Sequence, residues 1–185
     1  VTPFALRLCF RDPAREAPDY GGERCTFVVE GARLEEALTR WLDRADEKGI
    51  ALHIVEEAGP VAGNDLAELV AAARQGGIAA GQSYGYAPLE PAKGVFFGLI
   101  TDAEGWTELG VNAPDAASAV RAALRHADEE RRAFATLEGF CDLTQASDEA
   151  SFQGQPLAVA ALGLGMQAPG TVQFGASYAM EEGDG

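Results

Sequence analysis

The chain is 185 residues long and 47% hydrophobic, enough apolar material for one large domain or two small ones sharing a core, and too much for a disordered chain. Its 14 basic residues face 29 acidic ones, a formal net charge of −15 that argues against direct binding to nucleic acid, where affinity comes from Lys and Arg. No apolar run nears the roughly 20 residues that span a bilayer, and no basic stretch leads into an apolar one at the N-terminus, so a cytoplasmic protein without a membrane partner is expected.

Phe4 to Arg11 alternates, with Phe4, Leu6, Leu8 and Phe10 on one side, which predicts a strand with one buried face. Asp12 to Glu23 carries Pro13, Pro18, Gly21 and Gly22 and reads as a long loop of the kind that often binds or moves. Tyr20 is its one aromatic residue and a candidate contact. Cys25 to Glu30 is a second strand, expected to pair antiparallel with the first. Leu34, Ala37, Leu38, Trp41, Leu42 and Ala45 then fall on one helical face, with Glu36 and Arg40 as an i,i+4 pair outside and Gly49 at the left-handed stop. Ile50 to Val55 is a third strand, with Ile50, Leu52 and Ile54 on one side and His53 on the other. Glu56 to Gly63 is expected to turn the chain, and Asn64 to cap a short helix bearing Leu66, Leu69, Val70 and Ala73.

Residues 79–93 have loop composition and divide a first unit, 1–78, from a second, 94–185; the two together are compatible with one compact domain. Val95 to Thr101 and Trp106 to Val111 predict a hairpin around Asp102 to Gly105. Asn112 is the expected cap of a helix with Pro114 in its first turn and Ala116, Ala119, Val120, Ala123, Leu124 and Ala127 inside. Ala133 to Leu137 is a further strand. Leu157 to Leu164 and Thr171 to Met180 suggest a terminal hairpin, with Val172, Phe174, Ala176, Tyr178 and Met180 on one face, before a frayed acidic end at 181–185.

An offset of 82 residues brings Ala37 onto Ala119, Leu38 onto Val120, Leu42 onto Leu124 and Asp46 onto Asp128, with the preceding hairpins also in line. The predicted fold is therefore α+β, an antiparallel sheet with helices packed on one face, built from two related β-β-α-β halves.

Catalytic motifs are missing. His53 and His126 lie in no zinc signature, and the i,i+4 spacing of His126 and Glu130 reads as a helix contact. Cys9, Cys25 and Cys141 form no CxxC and are expected to be reduced and buried; a Cys9–Cys25 bridge would need an oxidising compartment. Cys25 and His53 could serve as nucleophile and base only if their strands were neighbours. Gly163 to Gly170 departs from GxGxxG, and no phosphate loop is present. No metal or other cofactor is expected.

The function these features favour is a non-enzymatic, acidic interaction protein that binds a basic surface of a protein or protein complex, as an inhibitor of a nucleic-acid-handling complex or an immunity-type protein would. Its contact residues would be Tyr20, Glu35, Asp43, Asp46, Glu47, Asp128 and Glu129. The alternative is a small-molecule-binding protein or enzyme with a pocket between sheet and loops, using His53, Glu56, Tyr84 and Tyr86. A third reading, a subunit of a larger assembly, requires a large exposed apolar patch.

Overall fold

A computed structural model describes residues 1–15 and 17–179. β1 (Thr2–Arg11) and β2 (Gly22–Gly31) form the expected antiparallel pair, with Phe4 opposite Val29 and Leu8 opposite Cys25. α1 (Leu34–Lys48) follows and buries the whole predicted stripe from Leu34 to Ala45. Side chains as large as Leu38, Trp41 and Leu42 contribute roughly 1.5–3 kcal/mol each when fully buried. That outweighs any difference in helix propensity. Trp41 meets Phe10 and Phe27 edge-on, with ring centroids 5.9 and 5.5 Å away.

β3 (Ala51–Pro60) departs from the alternation expected of it. Against β1, Leu52 stands opposite Phe10 and Ile54 opposite Cys9, so His53 is an extra residue; Glu56 is another, between Val55 opposite Leu8 and Glu57 opposite Arg7. Each bulge reverses the alternation. Leu52, Val55 and Ala58 consequently join the main core while Ile54 faces the other way. The turn expected from Glu56 is strand as far as Pro60.

α2 (Ala67–Gly76) is capped at Leu66; Asn64 instead lies in the preceding turn, where its carbonyl accepts from the Ala67 N–H. β4 (Ile78–Tyr86) pairs with β2, so the first part of the loop-like stretch 79–93 is a strand. Its Gly and polar residues suit a strand with only one neighbour, because an edge demands less packing on each side.

β5 (Val95–Thr101) and β6 (Gly105–Asn112) form the predicted hairpin, and α3 (Ala116–Glu129) buries its predicted stripe. Its cap is Asp115, whose carboxylate accepts from the Ser118 N–H at 2.8 Å. Asn112 is still in β6, donating from its amide to the Gln167 carbonyl, and Pro114 precedes the helix. β7 (Thr136–Asp142) begins later than Ala133. After a single 3-10 turn at Leu143–Gln145 come the two-residue strands β8 (Ser151–Phe152) and β9 (Gln155–Pro156), α4 (Leu157–Gly165) and β10 (Val172–Ala179). Leu157 to Leu164 is thus a helix and not a hairpin strand. Its Leu and Ala are strong helix formers, and a run apolar in every direction carries no period to separate the two states. β10 pairs with β6, and a register shift between Phe174 and Ser177 breaks its expected single face. Met180 and the acidic end at 181–185 lie outside the described residues.

The eight long strands make one antiparallel sheet in the order β10-β6-β5-β7-β3-β1-β2-β4, and the fold is α+β. The order mirrors itself about the β7–β3 junction: each half contributes a hairpin, a long helix, a central strand, a short helix and an edge strand. α1 and α3 share one face, over the main core. α2 and α4 cover only the flanks of the other, in small clusters around Val28 with Ala73 and around Phe97 with Phe152. Between them that face is open, with Arg7, Glu57 and Gly139 exposed. No helix among the described residues is long and apolar enough to cross a membrane.

Candidate functional site

The acidic residues of α1 and α3 are largely matched by arginines. Asp43 and Asp46 both accept from Arg121, at 2.9 and 2.8 Å, which ties the two helices together. Glu47 accepts from Arg44 at 3.1 Å, and Asp128 lies 3.5 Å from Arg33. Glu35 turns inward, where its Oε1 accepts from the Phe134 N–H at 3.1 Å. Glu129 is exposed and makes no ion pair among the described residues. Exposed pairs of this kind contribute about 0–1 kcal/mol. They leave the helix face nearly balanced in charge.

Tyr20 folds back on its own loop: its hydroxyl donates to Glu23 at 2.8 Å and accepts from the Asp12 N–H at 3.1 Å. Of the alternative set, the structure brings two residues together. His53 Nδ1 lies 2.8 Å from the Tyr86 hydroxyl, which donates to the Phe10 carbonyl at 3.3 Å. The phenol has one hydrogen: given to the Phe10 carbonyl it leaves Nδ1–H to donate to the phenol oxygen, and given to Nδ1 it leaves the imidazole hydrogen on Nε2. Burial, followed by the nearby Arg11 charge, lowers the His53 pKa, so the ring is neutral at neutral pH. Burial also raises the Tyr86 pKa. Glu56 is on the opposite sheet face, bonded to Arg24 at 2.8 Å and to the Cys9 thiol. Tyr84 is 61% exposed and stands opposite Arg24. Neither reaches His53.

His53 does line a cavity of about 370 Å3 at the end of the sheet where the two halves meet. Leu52 and Phe96 form part of its floor, and the segment 88–92, with Pro88, Leu89 and Pro91, crosses it as a strap. The strap is tethered at both ends. The Gly21 N–H donates to the Tyr86 carbonyl at 2.8 Å, and any side chain at Gly21 would collide with Ala87. At the other end the buried Asp142 carboxylate accepts from the N–H groups of Lys93 and Gly94 at 3.0 and 2.9 Å.

The thiols are held in their protonated form. Burial, reinforced by the Glu56 carboxylate, pushes Cys9 up to about 12, and burial pushes Cys141 to about 11 and Cys25 upward. All three are free and buried. Cys9 and Cys25 point to opposite sheet faces, and β1 separates Cys25 from His53, so neither expected juxtaposition occurs. Among the described residues no three His, Cys, Asp or Glu side chains gather as a metal site would need; His126 packs against the Phe174 ring.

One surface escaped the predicted set. α4 contains no polar side chain, and Leu157, Ala161 and Leu164 pack inward. On its other side Val159 is 48%, Leu162 71% and Met166 87% exposed. An available signal was the charge pattern: after Arg132 the chain has no Lys or Arg at all, and seven Asp and Glu residues. Comparison with protein-family models, with curated proteins and with solved structures finds no match.

Proposed function

We propose that the chain is an acidic interaction protein, of the inhibitor or immunity type, that docks on a basic protein surface through the outer side of α4. The observation that carries this is the exposure of Leu162, on a helix without a polar side chain, and of Met166 at its C-cap. A helix apolar all round is normally covered, and an uncovered one with polar surroundings marks a contact surface. The partner's charge follows from the neighbourhood. Asp148 and Glu149 are exposed between Ala146 and Ala150, which both pack on the α4 cluster, and no basic side chain lies anywhere beyond Arg132. An apolar anchor with an acidic rim matches a partner groove edged by Lys or Arg. The thiols, all held protonated, favour a binding role over nucleophilic catalysis.

The test is affinity capture from the source cell with three baits: wild type, Leu162→Gln/Met166→Gln, and Asp43→Lys/Asp46→Lys/Glu47→Lys. One basic protein, released by salt, is expected on the first and third baits and not on the second. Equal capture by the α4 double variant would overturn the assignment, and loss on the third bait alone would return the contact to α1.

A further inference from the structure

The corner of the sheet beneath the strap has a counterpart one repeat away, at the far end of the sheet. At the far end Glu35 sends its carboxylate to the Phe134 N–H. One repeat of 82 residues along, Ala117 stands in the place of Glu35, and Phe134 corresponds to Leu52 on the cavity floor. The strap-side corner has no carboxylate at the position equivalent to Glu35.

Its remaining polar groups carry both signs. Among the described residues Arg11 is the one cation in the lining. Glu90 makes no side-chain hydrogen bond among the described residues, and Asp115 uses one oxygen on Ser118 and leaves the other free. A simple anion would meet Glu90 and Asp115, besides the Asp142 carboxylate already engaged by backbone N–H groups, and a simple cation would meet Arg11. A molecule bearing both charges satisfies both. About 370 Å3 is at the low end of the range for small-ligand sites. We propose that this cavity binds a small apolar amino acid, with its carboxylate at Arg11, its ammonium group at Asp115, and its side chain against Leu89 and Phe96. The site is separate from the α4 surface, and neither depends on the other.

Backbone-amide NMR titration of the full chain, with ligands to 10 mM, tests this. L-leucine and L-phenylalanine are the probes, and leucinamide and N-acetyl-leucine each lack one charge. Saturable shifts at Leu52, His53, Leu89 and Ala116 are expected for at least one free amino acid, with tenfold or weaker affinity for the blocked forms. Arg11→Gln and Asp115→Asn should each weaken binding about tenfold or more; Asn keeps the helix cap, so an unchanged melting temperature is expected. No shift with either amino acid would overturn the proposal. So would a blocked form binding as well as the free one, or both variants binding like wild type.

Discussion

Gly49 and Arg131 occupy the same left-handed position at the ends of the two long helices, with φ of 66° and 54°. The hydrogen bonds around them match as well: Gly49 N–H to Asp46 and Ile50 N–H to Ala45 in the first, Arg131 N–H to Asp128 and Arg132 N–H to Ala127 in the second. A side chain in this conformation costs about 1 kcal/mol or more, partly offset in Gly by the freedom of its unfolded chain. Arg131→Gly is expected to stabilise by about 0.5–1 kcal/mol in urea unfolding. Gly49→Ala should destabilise by about 1 kcal/mol, because its new methyl meets only an ordinary contact with Pro13 and the cost is purely that of the backbone.

Glu35 joins α1 to the segment before β7. Its Oε1 satisfies the Phe134 N–H, while its Oε2 is buried with no hydrogen-bond partner among the described residues. Glu35→Ala strands that N–H and should cost about 1–3 kcal/mol. Glu35→Gln can keep the acceptor and removes a buried charge, so its urea midpoint is expected at or above that of wild type. A loss in Gln equal to that in Ala would show that the charge itself is required.

Asp102 gives the fold a defined acid weakness. Burial pushes its carboxyl pKa up, but the Arg132 guanidinium at 2.7 Å and the N–H groups of Glu104 and Gly105 outweigh that and hold it below the usual value. A depressed carboxyl stabilises the fold above its unfolded pKa and loses that contribution as pH falls through the folded one. Asp102→Asn should therefore cost about 2 kcal/mol at pH 7. The gap from wild type should close progressively below about pH 4. A gap unchanged at pH 3 would contradict the pairing.

Thiol reactivity offers an independent check. With Cys9 near 12 and Cys141 near 11, the native protein should react with a disulfide reagent at pH 8 only at the rate at which it opens. Three equivalents should react at once in denaturant, as the cysteine count requires. Rapid labelling of the folded chain would show an accessible thiolate.

Both long helices, their buried stripes and the first hairpin of each half were legible because periods of 3.6 and 2 are strong signals over such lengths. β3 was only half legible. The bulges at His53 and Glu56 depend on the register with β1, which no local pattern records, and they decide that His53 meets the cavity while Glu56 meets Arg24. Of the proposed ligand residues, His53 and Tyr86 converged because β4, hidden by its Gly-rich composition, carries Tyr86 back to the sheet. The caps were misplaced onto Asn64 and Asn112 for a related reason: which polar residue caps depends on where the preceding strand or turn ends. α4 is not legible as a helix because a uniformly apolar run has no period, and its exposed side depends on what packs beneath it.

The mirrored strand order also bears on how the chain folds. Among the described strands only β3 and β7 pair across the halves; every other long-strand ladder closes within about one half of the sequence. Loop closure is the entropic cost that slows non-local β pairing. Each half can thus assemble its own four strands around its own long helix before the other is complete. The β3–β7 seam, with Arg121 reaching Asp43 and Asp46 above it, is the one described ladder whose closure requires both halves.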